Sequence, residues 1–288
     1  MATISVVLAT FNEEENLPSC LDSVKDLADE IVIVDGSSKD KTVQIAKKYG
    51  ARVLVVKNLP IFHINKQKAI DLATKDWILQ LDADERVTQD LANEIKQILQ
   101  DRHSGKRSAS RISQDDRRFW TSPDSIGASQ NDGETINGYW IPRKNWFLGR
   151  FLMKGGQYPD YTIRLYKKGA GRLPQKDVHE QAEIVGKIGY LNESLLHFPY
   201  KDFSSYVYKW SRYNNLLENQ IREKLKGKSL TIKVYYGIGY LFVKPLHWFL
   251  TTYIRHKGFM DSWQGFVFSF FSALRFSVGY IKYIKNHG

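Results

Sequence analysis

The chain has 288 residues, 42% of them hydrophobic and 25% charged, proportions that suit a globular protein and exclude wholesale disorder. Lys plus Arg number 42 against 31 Asp plus Glu, a net charge of +11, and the excess is local: Arg222 to Gly288 carries 11 basic and 2 acidic residues. Cys20 is the single cysteine, so no internal disulfide can form, a thiol-ligated metal site is excluded in practice, and a reducing cytosolic compartment is the default expectation.

Ile4 to Ala9 is a short Val-rich run that reads as a strand rather than as a basic and apolar leader. It ends in Thr10-Phe11-Asn12-Glu13-Glu14-Glu15-Asn16, and Pro18 then suits the first turn of a helix reaching about Val24. A second strand, Ile31 to Val34, runs into Asp35-Gly36-Ser37-Ser38 and a helix ending near Tyr49. Arg52 to Val56 is a third strand, Ile64 to Ala73 a third helix, and Trp77 starts a fourth strand. Strands alternating with helices at this spacing predict βαβ units in a parallel sheet, with the polar strand ends gathered along one edge.

The stretch Trp77-Ile-Leu-Gln-Leu-Asp-Ala-Asp-Glu85 has four apolar residues among its first five and then stops in three carboxylates. A buried strand of this kind delivers its acids to the carboxyl end of the sheet, where open α/β sheets bind ligands. Asp82 and Asp84 could share one hard divalent cation, and two carboxylates with no cation would repel until one held a proton. An Asp-rich turn capping the helix near Gln89 is the blander reading. The Gly-rich phosphate loops of dinucleotide folds and P-loops are absent from the sequence, so phosphates would fall to a metal and to cations such as Lys66 and Lys68. Exposed helix lysines, though, are more often simply solvated.

Together, Thr10-Phe11-Asn12-Glu13, Val34-Asp35-Gly36-Ser37, Gln67 with Lys68, and Asp82-Ala83-Asp84-Glu85 resemble the inverting family 2 glycosyltransferases. Trp140-Ile141-Pro142-Arg143, Gly155-Gly156-Gln157-Tyr158-Pro159, Arg164-Leu165-Tyr166 and Val178-His179-Glu180 resemble a subgroup that adds glucose to the lipopolysaccharide inner core through a β-1,4 linkage. The resemblance implies an α/β nucleotide-sugar-binding GT-A fold with a mostly parallel mixed sheet, flanking helices and a UDP-sugar donor. It implies that Thr10, Asn12, Glu13 and Asp35 line the uridine pocket, with Lys66 and Gln67 beside it. Asp84 becomes the principal ligand of Mn²⁺ or Mg²⁺, Asp82 lies near the ribose or the ion, and Glu180 is the general base. His179 is a metal-ligand candidate against the commoner structural histidine, and Asp160 and Asp177 compete for the role of base. The family's usual second acid before the Gly is here Val34. Trp140, Trp146 and Tyr158 divide between sugar stacking and core, with at most one assigned to the acceptor. Arg143, Lys144 and Arg164 divide between an anionic acceptor and solvated surface.

The expected organisation is a catalytic region over residues 1–200 and a basic aromatic helical region over residues 201–288. Within the first, residues 1–100 form the nucleotide half and 136–200 the acceptor half. Residues 104–135, rich in Ser, Asp, Arg and Gly, read as a flexible surface insertion that departs from the subgroup. Tyr206 to Lys226 predicts an amphipathic helix. From Leu230 onward 16 Phe, Trp and Tyr are interleaved with Lys and Arg. Lys244-Pro245 is expected to break the first apolar region, and Gln264 and Arg275 interrupt the second, so helices lying in an anionic membrane interface are expected in preference to a span. No nucleic-acid motif accompanies the basic residues. The sequence thus reads as a transferase moving a sugar, glucose, from UDP to a lipid-linked saccharide on the cytoplasmic face of the inner membrane, with homo-oligomerisation open. A polyprenyl-phosphate glycosyltransferase of the same fold, and a catalytically silent nucleotide-sugar-binding membrane scaffold, are the alternatives.

Overall fold

The computed structural model describes residues 2–59, 61–104, 136–174 and 181–287. The insertion expected at 104–135 falls outside them from residue 105, as do Asp177, His179 and Glu180. The chain divides into two compact units, Met1–Arg143 with Tyr161–His197, and Lys144–Asp160 with Phe198–Gly288.

The first unit is a mixed α/β sheet with flanking helices. Its strands are β1 (Ile4–Thr10), β2 (Glu30–Asp35), β3 (Arg52–Val55), β4 (Trp77–Leu81), β5 (Glu85–Val87), β6 (Ile136–Phe147), β8 (Asp160–Lys167), β11 (Lys187–Tyr190) and β12 (Leu195–His197). The order is β3-β2-β1-β4-β8-β6-β12-β5, with β11 beside β6. β3, β2, β1 and β4 are mutually parallel, β8 runs antiparallel to β4, and β12 runs antiparallel to β5. A separate ribbon pairs β9 (Gly171–Arg172) with β10 (Glu183–Ile184). The helices are α1 (Leu17–Asp22), α2 (Thr42–Lys48), α3 (His63–Leu72) and α4 (Gln89–Ser104).

The strands are apolar on both sides because both faces are covered. Val6, Leu8, Ile33, Leu79 and Leu81 pack with Leu17, Leu21, Ala46, Leu91 and Ile95 of α1, α2 and α4. Their alternating neighbours Val7, Val32, Val34 and Ile78 pack with Ala69 and Ile70 of α3. Successive side chains point to opposite faces, so one continuous apolar run serves two cores. The pairing of Thr10 with Asp35 and of Leu8 with Leu81 brings the ends of β1, β2 and β4 to one edge, as their polar endings predict. Helix α1 ends at Asp22 and the chain turns through Val24, whose amide donates to the Leu21 carbonyl, so the helix is two residues shorter than expected.

In the second unit the distal end of β6 pairs antiparallel with β7 (Arg150–Leu152). Helices follow: α5 (Phe203–Leu225), α6 (Leu230–Ile238), α7 (Lys244–Phe249) and α8 (Ser262–His287). Asp202 caps α5 reciprocally with Ser205, each side chain bonding the other's backbone. Ile221 and Leu225 of α5 meet Tyr280 and Tyr283 of α8, and the Trp210 indole N–H donates to the Phe271 carbonyl at 2.8 Å. Lys244-Pro245 ends the apolar run that begins at Tyr235, as expected, without ending the helix. The chain stays helical from Leu230 to Arg255: π-helical turns at Gly239–Val243 and Leu250–Arg255 flank α7, and Pro245 directly follows the first of them. No helix among the described residues is long and apolar enough to cross a membrane.

Candidate functional site

Asp35 ends β2 with no exposed surface. Its carboxylate accepts from Thr10 Oγ1 at 3.0 Å, from Ser38 Oγ at 2.6 Å and from the Ser38 amide at 2.8 Å. Asn12, with φ of 55°, accepts from the Lys39 amide at 2.8 Å while its own amide donates to Ser38 Oγ. The Glu13 amide donates to Thr42 Oγ1, and the Glu13 side chain accepts from Asn16 Nδ2. Four residues expected to line a uridine pocket, Thr10, Asn12, Glu13 and Asp35, therefore hold the β1 and β2 loops to one another, and Phe11 is left 43% exposed between them. Gln67 donates to Asp71 and accepts from the Leu173 amide, tying α3 to the segment after β9.

The acids after β4 meet cations delivered by three other elements. Lys66 of α3, only 5% exposed, forms an ion pair with Asp82 Oδ1. It is buried, which corrects the solvated reading. Arg164 of β8, 7% exposed, reaches Asp82 Oδ2 at 2.7 Å and Glu85 Oε1 at 2.8 Å. Arg143 of β6 reaches the same Glu85 oxygen at 3.1 Å. The Asp82 amide donates to Glu85 Oε2 at 2.9 Å, and the Glu85 amide donates back to the Asp82 carbonyl at 2.9 Å, so the turn is closed twice. Arg143 and Arg164 are thus engaged by acids rather than left as solvated surface.

This arrangement removes the repulsion that adjacent carboxylates would suffer. Burial pushes the Asp82 carboxyl up, but Arg164 and Lys66 outweigh it and hold the group well below the ordinary carboxylate range. Burial lowers Arg164, and the attraction of Asp82 and Glu85 more than restores it, raising it above its ordinary value. For Lys66 burial prevails over the pull of Asp82 and the ammonium is lowered. Burial also raises the Cys20 thiol, which lies under the turn with Sγ 3.6 Å from the Asp82 carbonyl, so it has no thiolate chemistry to offer.

Asp84 is arranged differently. Its Oδ2 lies 3.5 Å from His197 Nε2, and both side chains keep solvent access, 23% and 15%. The register of β12 against β5 puts His197 opposite Glu85, which carries the imidazole to the acidic turn. Among the described residues no group of three or more His, Cys, Asp or Glu is arranged to hold a metal ion. Mg²⁺ and Mn²⁺ usually take one or two protein ligands and complete their shells with phosphate oxygens and water. The Asp84 carboxylate fits that donor set for either ion, and an imidazole nitrogen at this separation suits the softer Mn²⁺ better than Mg²⁺. Asp82 fits the set less well, because both its oxygens already face cations.

His197 and the part played by Glu85 are not among the expectations from sequence. The signal for His197 was present, since Leu195-Leu196-His197 is an apolar run ending in a polar group, a short version of β4. Trp140 is half-buried against the core and stacked with Tyr190 at 6.5 Å between ring centroids. In the second unit, Trp146 packs edge-on against Phe151, Lys144 lies over the Tyr158 ring, and Asp160 accepts from Asn145 at 3.1 Å.

A mixed sheet whose parallel strands end at a charge-compensated acidic turn, with a partly buried Asp-His pair beside it, is consistent with a mixed α/β protein of the GT-A class. Residues 5–169 match the family model for glycosyl transferase family 2, and the chain belongs to that family, as the sequence motifs implied. An uncharacterised glycosyltransferase of Rickettsia typhi is 40% identical over 99 residues, which is 34% of each chain, so the match spans about a third of that relative's length. The lipopolysaccharide core biosynthesis glycosyltransferase LpsC of Rhizobium meliloti is 26% identical over 291 residues, covering 94% of this chain and 91% of that one. Among solved structures, the glucosyl-3-phosphoglycerate synthase of Mycobacterium tuberculosis with Mn²⁺, UDP and glucosyl-3-phosphoglycerate is 28% identical, covering 34% of this chain and 40% of that chain, with a TM-score of 0.30.

Proposed function

We propose that the chain is a metal-dependent, inverting hexosyltransferase that moves a sugar, glucose, from a UDP-sugar to a lipid-linked saccharide of the lipopolysaccharide-core kind. Its place would be peripheral, on the cytoplasmic face of the inner membrane. The observation that carries this reading is the Asp84–His197 pair beside a turn whose other two carboxylates are already neutralised. The long alignment with LpsC supports the choice of acceptor class.

Asp84 and His197 would hold Mn²⁺ or Mg²⁺, and the bound cation would supply stabilisation of the negative charge that builds on a departing diphosphate. The protein's own part begins with the loops after β1 and β2, where the Asp35, Ser38 and Thr10 network fixes the backbone on which a nucleoside would rest. Lys66 and Arg164 hold Asp82 ionised and still, so its carboxylate can orient a ribose hydroxyl without competing for a proton. Inversion needs one base on the face opposite the leaving group, and Glu180 takes that role through the family resemblance.

Transfer from UDP-glucose to truncated lipopolysaccharide core, followed with radiolabelled donor, tests the reading. Glu180→Gln should keep UDP binding and lose transfer. Transfer to polyprenyl phosphate that tolerates Glu180→Gln would replace the saccharide acceptor with a phosphate one. No turnover with any donor or acceptor would leave the silent scaffold.

A further inference from the structure

Along the helical run from Leu230 to Arg255, every fourth residue is large, apolar and solvent-exposed: Leu230 at 76%, Val234 at 55%, Ile238 at 55%, Phe242 at 68%, Leu246 at 62%, Leu250 at 48% and Ile254 at 53%. On an α-helix of 3.6 residues per turn, a stride of four advances about 40° per step, so seven positions would wind most of the way round the axis. Here two segments, Gly239–Val243 and Leu250–Arg255, are π-helical. Each π turn takes in roughly one more residue than an α turn. Alternating the two brings the mean repeat close to four, and the apolar positions stay on one stripe. The opposite side is the packed one, with Gly237 and Tyr240 buried against Tyr280 and Thr252 buried further along.

Soluble surfaces seldom leave an apolar stripe of this length uncovered. The charge around it selects the partner. Exposed Lys226 and Lys228 precede the stripe and exposed Arg255 and Lys257 follow it. From Lys224 to the chain end the sole acid in the sequence is Asp261. That carboxylate is 2% exposed and accepts from the Met153 and Lys154 amides, with Arg150 at 3.7 Å. Both ends of the stripe are therefore basic, and from Lys224 onward the sequence offers them no exposed acid. A second copy of this chain, laid parallel or antiparallel, would set like charge against like. An anionic bilayer complements the whole face at once: acyl chains for the stripe, phosphate headgroups for its ends.

We propose that the Leu230–Arg255 stripe is a docking face for an anionic lipid bilayer, with the π turns serving to keep that face straight and in the interface plane. The proposal deepens the reading of the chain as a peripheral enzyme by naming the face, and its test does not depend on catalysis. Full-length protein is floated with vesicles of phosphatidylcholine containing 30% phosphatidylglycerol, and with vesicles of phosphatidylcholine alone. The wild-type chain should bind the anionic vesicles at least tenfold better, and 0.5 M NaCl should weaken that binding. Phe242→Glu with Leu246→Glu, and separately Phe242→Ser with Leu246→Ser, should cut anionic-vesicle binding tenfold or more while leaving circular dichroism and UDP affinity at wild-type values. Vesicle binding that survives both double substitutions would overturn the proposal. So would a wild-type dimer that the substitutions convert to monomer in a protein indifferent to vesicles, since the stripe would then belong to a second copy. A wild-type chain that binds anionic vesicles but not UDP would count against the proposed catalytic function and leave the docking face standing.

Discussion

Arg164 bridges two carboxylates with one guanidinium, at 2.7 Å and 2.8 Å, while almost wholly buried. Removing one partner of a buried ionic network leaves its counter-charges stranded, a loss of about 3–5 kcal/mol. Arg164→Met is therefore expected to lower the urea unfolding free energy at pH 7 by that amount. A loss under about 1 kcal/mol would mean that Lys66 and Arg143 suffice without it. The same pairing fixes the acid dependence. The folded Asp82 carboxyl lies below its unfolded value, so its stabilisation is complete above about pH 4, the unfolded value, and drains as pH falls through the folded one. Wild-type stability should fall on acidification below pH 4, and Arg164→Met should give up part of that slope. The acids of this site are legible in sequence because they interrupt a strand end. Arg164, Arg143 and His197 are not, because they arrive from β8, β6 and β12, and strand adjacency is a property of topology that no local period records.

At the scale of elements, strands β1 to β4 follow from their apolar runs, and their shared edge follows from their polar endings. The ends of elements are less legible. Helix α1 stops early through local turn bonds, and the helical run after Leu230 continues through Pro245, directly after a π turn. Close approaches hide in sequence as well. Gly265 in α8 lies against the Gly258 carbonyl, so an added methyl group there would collide with backbone, whereas at Gly279 the neighbour is the tip of the Leu217 side chain, 2.9 Å from an added Cβ. Backbone cannot rotate away and a leucine tip can. Gly265→Ala is expected to cost about 1–3 kcal/mol and Gly279→Ala clearly less, read from thermal melts of both variants. Equal costs, or the reverse order, would show that the Gly258 turn yields more readily than the α5–α8 packing.

Across the whole molecule, the +11 net charge is concentrated where the chain is most aromatic, while residues 1–221 are near neutrality. A locally neutral catalytic sheet and a basic helical unit make separate demands on partners, which is why donor binding and lipid binding can be measured apart. Asp84 and His197 are proposed to hold a divalent cation for a nucleoside diphosphate while Asp82 stays paired with Lys66 and Arg164. Calorimetric titration of UDP into wild type, Asp84→Ala and His197→Ala, each with and without Mn²⁺, tests this role most directly. Wild type should bind UDP roughly tenfold or more tightly with Mn²⁺ than without, and each substitution should remove that gain. UDP affinity indifferent to the ion, or an ion-dependent gain that survives both substitutions, would remove Asp84 and His197 from this role.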